Sequence, residues 1–210
     1  MRLDALLEAT ERTVANVERE GNVGFLYDYL TFYCQEAKLT SLLGSPQKIG
    51  GSFYCYKNKL TTLEGGPEEV ADTYSCCNNK LTSLEGVASH IGKILICHNN
   101  SLTSLQGIHK LIKHIGGKAD FEANPIKSHV LGLLKIDGLK QVKMHNMPSK
   151  HFVASKHHVN YDTQDSGGNK LQGNYYEVSE IINKHLKGDR NIFDCQAELE
   201  DAGYEDYAQL

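Results

Sequence analysis

A unit of 21 residues repeats four times between Phe32 and Gly107 without a slip in spacing. Cys34, Cys55, Cys76 and Cys97 mark one position of it; Leu39, Leu60, Leu81 and Leu102 mark a second. Leu42, Leu63, Leu84 and Leu105 mark a third, and Gly44, Gly65, Gly86 and Gly107 a fourth. A unit this short cannot enclose an apolar core by itself. Its buried positions must lean on those of the next copy, so the chain is confined to a stack of coils, a solenoid.

Each unit reads approximately aromatic-x-Cys-x-x-Asn-x-Leu-Thr-Ser-Leu-Glu-Gly. The alternation at its start predicts one short strand per unit, centred near residues 33, 54, 75, 96, 120 and 143. Stacked in register, such strands make a parallel sheet with neighbours ~4.8 Å apart. Too little chain remains for a long helix, and Pro46 and Pro67 disfavour one, so the return path should be extended or a short helical turn. After Leu105 the phase slips by three residues through HKLIKH at 109–114, and the pattern resumes as Ala119, Phe121, Asn124 and Ile126. A sixth, worn unit reads Leu139, Val142 and Met144.

With Phe53, Cys55, Asn58 and Leu60, and again Tyr74, Cys76, Asn79 and Leu81, the skeleton has the form of a leucine-rich repeat. KLTSLEG at 80–86 and KLTTLEGGP at 59–67 resemble the short repeats of bacteria and tailed bacteriophages. The ending DRNIFDCQAELEDAGYEDYAQL resembles a tail found on such phage-encoded proteins. The resemblance implies an α/β leucine-rich repeat solenoid with its parallel sheet on a concave face, acting as a cytoplasmic protein–protein interaction scaffold. A phage accessory protein that engages a host or defence factor is the implied setting. Ala37 in place of the first ladder Asn, and Ala88 in place of the Pro, depart from the pattern. Bacterial effectors with similar repeats carry a large ubiquitin-ligase domain, for which the sixty or so residues after the array are too few.

The flanks divide the rest. Leu3, Leu6, Leu7, Thr10, Val14 and Val17 form a helical stripe, so residues 1–24 are expected to be an N-terminal helical cap on a solenoid spanning 25–148. Residues 149–173 are polar and broken by Gly167, Gly168 and Gly173, as a loop or linker would be. Residues 174–210 read as a C-terminal helical hairpin, with Val178, Ile181, Ile182 and Leu186 on one face, then Ile192, Phe193, Ala197 and Leu199 before Gly203. No apolar run approaches the ~20 residues that span a bilayer, and the start has acids from Asp4 onward, unlike a secretory signal. The cysteines are therefore expected to be reduced, in a cytosol.

The four ladder cysteines raise the question of zinc. Standing in one register of successive strands, they form a row ~14 Å long, whereas zinc needs a tetrahedron with each sulfur ~2.3 Å away. Buried thiols, with no metal and no cofactor, are the expectation. Asn58, Asn79, Asn100 and Asn124 are expected to turn inward and satisfy backbone groups at the strand ends. The ten histidines show no metal-protease spacing. Cys77 alternates out of the core with His98 stacked one coil on, the one catalytic-looking pair; with no oxyanion device in view, no catalytic residue is expected.

Function is therefore expected on the outward side of the sheet. One row there is Tyr33, Tyr54, Ser75, Ile96, Asp120 and Lys143; the next is Gln35, Tyr56, Cys77, His98, Glu122 and His145. Lys38, Lys59 and Lys80 run beside them as a basic edge. Tyrosine gives large contact area with few torsions to freeze. The expected partner-binding residues are Tyr33, Tyr54, Tyr56, Cys77, His98, Lys59 and Lys80, and the expected partner is a protein. The formal charge of −4 gives no overall case for nucleic acid. It is concentrated at the end, with nine acids against three bases in residues 176–210, so an acidic nucleic-acid mimic acting on a DNA-handling protein is the alternative reading.

Overall fold

The computed structural model describes residues 31–144 and 174–210. The N-terminal helical cap expected over residues 1–24 and the linker at 149–173 lie outside the described residues.

The repeat folds as a parallel β-solenoid. Strands β1 (Phe32–Tyr33), β3 (Phe53–Tyr54), β5 (Thr73–Ser75), β7 (Ile94–Ile96), β9 (Lys118–Asp120) and β10 (Gln141–Lys143) form one six-stranded sheet in that order. The centres match those read from the repeat. Register follows the repeat, Phe32 pairing with Phe53 and Phe53 with Tyr74. It absorbs the slip, since Ile96 still pairs with Asp120 and Asp120 with Lys143.

The extended return path is itself paired. Strands β2 (Lys48–Ile49), β4 (Glu69–Val70), β6 (His90–Ile91) and β8 (His114–Ile115) make a second, four-stranded parallel sheet. The three extra residues after Leu105 are taken up by the short helix α1 (Ile108–Leu111), and a 3-10 turn at Leu131–Lys135 fills the next coil. These helical segments displace the return path locally without breaking the strand register.

The core is a set of ladders. Leu39, Leu60, Leu81 and Leu102 are wholly buried, as are Cys55, Cys76 and Cys97. Phe32, Phe53 and Tyr74 stack inside with ring centroids 5.7 and 5.2 Å apart. The asparagine ladder closes the strand ends. Asn58 accepts from the Leu39 N–H at 2.9 Å and donates to the Cys34 and Cys55 carbonyls at 2.9 and 3.0 Å. Asn79, Asn100 and Asn124 repeat that pattern one coil further each time. One amide side chain thus pairs three backbone groups that burial would otherwise leave unsatisfied.

Two helices follow, α2 (Asn174–Lys187) and α3 (Ile192–Asp201). Helix α2 buries Val178, Ile181, Ile182 and Leu186, the stripe read from the sequence. Helix α3 differs from expectation: Cys195 and Leu199 face inward with Ile192 partly buried, while Phe193 is 79% exposed and Ala197 is exposed. The buried positions follow spacings of three and four from Ile192, a stripe that the more hydrophobic Phe193 masks. Asn191 starts this helix, its side chain accepting from the N–H groups of Phe193 and Asp194. The pair packs on the last coil. The Asn183 amide accepts from the Val142 N–H at 2.6 Å and donates to its carbonyl at 2.8 Å, and the Arg190 guanidinium donates to the Ile136 and Leu139 carbonyls. No described helix is long and apolar enough to cross a membrane.

Candidate functional site

Alternation along each strand sends Phe53 and Cys55 into the core and leaves Tyr54 and Tyr56 on the outward face of the six-stranded sheet. At the β1 end this face is aromatic. Tyr33 stacks on Tyr54 at 5.4 Å between centroids, and Tyr56 meets Tyr54 edge-on at 6.2 Å. Tyr33 is 65% exposed, with Tyr54 and Tyr56 half-buried beneath it. Lys38, Lys59 and Lys80 lie exposed just past the strand ends. His145, at the end of the second outward row, falls outside the described residues.

The middle of the face is closed over. Ser75 and Cys77 belong to the outward rows, yet each is buried, at 3% and 7% exposure. The exposed part of the face is therefore interrupted between the tyrosines and His98.

Around Cys77 the solenoid assembles a cluster. Backbone bonds from Cys76 N–H to the Ile96 carbonyl and from Asn78 N–H to the His98 carbonyl fix Cys77 beside His98 on the next coil. The Ser75 hydroxyl lies 3.6 Å from the Cys77 sulfur. His98 Nδ1 lies 3.6 Å from Asp120 Oδ2, a distance that makes the contact electrostatic more than directional. Asp120 is itself oriented, its Oδ1 accepting from the Glu122 N–H at 3.0 Å. Burial pushes the Cys77 thiol up, but hydrogen bonding to His98 and Ser75 together with the His98 charge brings it below the usual thiol value. Asp120, aided by Cys77, pushes His98 up to about 10. Burial works against the Asp120 carboxylate, but His98, the Glu122 N–H and Lys118 together hold the group below its ordinary range. Chemically, this arrangement stabilises a thiolate beside an imidazolium.

The other cysteines contrast with it. Burial pushes the Cys34 thiol up to about 12 and drives Cys55 well up, and Cys76 is raised by its bond to Cys97 as well as by burial. Among the described residues no three His, Cys, Asp or Glu side chains converge as metal ligands. In the second sheet His90 stacks on His114 at 6.5 Å, and His114 Nδ1 meets the exposed Asp137 carboxylate at 2.9 Å. That pair is solvated.

Asp120 is the residue that sequence reasoning placed on the face but not in the site. The signal was present in the row running from Tyr33 to Lys143. The slip between His98 and Asp120 hid the diagonal contact.

No protein-family model, curated protein or solved structure matches this chain.

Proposed function

We propose that this chain is a leucine-rich-repeat interaction scaffold that docks a protein partner on the outward, concave face of its six-stranded sheet. Tyr33, Tyr54 and Tyr56 are the anchors, Lys59 and Lys80 the rim. The observation that supports this reading most is the exposed Tyr33–Tyr54 stack with Tyr56 packed against its edge. Monomeric proteins seldom leave contiguous aromatic surface without a use, and tyrosine clusters concentrate binding energy. The repeat resemblance adds that the partner would be a host or defence protein met in a bacterial cytoplasm.

The acid-rich end supports the mimicry alternative less well than its composition suggests. Glu198 is engaged by Lys184 at 2.7 Å and His185 at 2.8 Å, and Glu177 accepts from the Tyr204 hydroxyl at 2.6 Å. Those acids serve the helix pair.

The test begins with proteins recovered from a bacterial lysate by the full chain, whose affinity is then measured against two variants. Tyr54→Ala with Tyr56→Ala should weaken the principal complex by about thirtyfold or more, the loss of ~2 kcal/mol typical of a central aromatic anchor. Glu180→Gln with Asp201→Asn and Glu205→Gln, all exposed on the helix pair, should leave it unchanged. The reverse pattern would move the site to the acidic end.

A further inference from the structure

One cysteine of the six stands apart from the others in the chemistry that surrounds it. We propose that Cys77, paired with His98 and steadied by Asp120, is a nucleophilic thiolate that captures small disulfides from the outward face of the six-stranded sheet.

The geometry carries this in three parts. First, the solenoid register sets Cys77 and His98 on adjacent coils at one strand spacing, with backbone bonds on either side that leave neither free to drift. Second, Asp120 Oδ2 sits 3.6 Å from His98 Nδ1, and its Oδ1 is itself held by the Glu122 N–H, so the imidazole has a fixed anionic partner. Third, the Ser75 hydroxyl at 3.6 Å gives the sulfur a polar neighbour on its own coil. An adjacent cation and a hydrogen-bond donor are the features that make a thiol reactive at neutral pH. The remaining groups that face Cys77 do not oppose this. Tyr56 and Lys57 stand on the preceding coil, Lys57 with its charge already paired to Glu36 at 2.8 Å, and Cys76 on the same coil turns into the core.

Selectivity follows from the fold. Cys34, Cys55, Cys76, Cys97 and Cys195 are at most 2% exposed, and for Cys34, Cys55, Cys76 and Cys195 the surroundings disfavour a thiolate. Cys77, at 7%, is the most exposed of the six and belongs to the outward row of the sheet.

The step is a thiol–disulfide exchange. The Cys77 thiolate attacks one sulfur of the disulfide, a new S–S bond forms as the old one breaks, and the departing thiolate takes the proton carried by His98. Cys77 is oxidised to a mixed disulfide and the departing half of the reagent is reduced to a thiol.

The test needs no partner, so its outcome is independent of the docking reading. Reduced full-length protein is incubated with oxidised glutathione between pH 6 and 9, quenched in acid, and the adduct is located by peptide mass spectrometry. Cys77 should be modified first, with the other five cysteines unmodified while the protein stays folded. Its rate should level off below pH 9 and exceed that of His98→Gln at pH 7 by about five- to tenfold, the thiolate gain being partly offset by lower nucleophilicity. Asp120→Asn should reduce the advantage without abolishing it, and Cys77→Ser should remove the adduct. Circular dichroism checks that each variant folds; if His98→Gln does not, the wild-type pH profile decides alone. A Cys77 that reacts only in denaturant, or one whose rate climbs tenfold per pH unit through pH 8, would overturn the proposal.

Discussion

At the scale of single residues, Tyr74 shows what strict repetition costs. It continues the inward ladder that begins with Phe32 and Phe53, is fully buried, and its hydroxyl has no hydrogen-bond partner among the described residues. Burial disfavours its ionised form strongly. A buried hydroxyl without a bond typically costs about 1–3 kcal/mol, while the ring keeps its contacts with Phe53 either way. Tyr74→Phe should therefore raise stability by about 1 kcal/mol, seen as a higher denaturant midpoint with unchanged slope. A drop in midpoint would mean that the hydroxyl is hydrogen-bonded in solution. The same positional logic separates Cys76 from Cys77: one residue along the strand turns an inert core thiol into a neighbour of His98.

At the scale of the repeating element, the turn glycines do two different jobs that the sequence prints alike. Gly86 and Gly107 occupy equivalent positions with φ of 82° and 69°, a region costly for residues with a Cβ. At Gly86 an added Cβ would come 2.2 Å from the Glu64 nitrogen, because the preceding coil passes directly beneath. At Gly107 the nearest atom is the flexible Lys110 side chain at 3.8 Å. Gly107→Ala should cost about 1–2 kcal/mol from backbone conformation alone. Gly86→Ala should cost distinctly more, since a backbone must move as well. Thermal melts of the two variants, compared directly, check this, and equal losses would show that the coil spacing yields freely at that corner.

At the scale of the whole molecule, a parallel sheet must end somewhere, and an uncovered last strand is a template for unwanted pairing. Here the Asn183 side chain meets both the N–H and the carbonyl of Val142, as a neighbouring strand would. Arg190 takes up carbonyls of the coil beneath. Asn183→Ala should lower stability by about 1–3 kcal/mol, the usual cost of stranding buried partners. Hydrogen exchange at the Val142 amide should accelerate while that at Leu95, in the middle of the array, stays slow. Uniform acceleration would instead show that the helix pair and the coils open as one unit.

The sequence by itself determined the solenoid, because a fixed 21-residue spacing leaves apolar positions only one way to be buried together. It also determined the strand centres, the inward asparagines and the aromatic rows, all consequences of two-residue alternation and a constant register. Tertiary structure decided what lies outside that periodicity. The return path pairs into a second sheet through segments of only two residues, too short to carry a pattern of their own. Helix α3 turns Cys195 inward instead of Phe193, because packing on α2 and the last coil sets which stripe is covered. The Cys77–His98–Asp120 cluster runs diagonally across three coils and a phase slip, so its distances exist only once the coils are stacked.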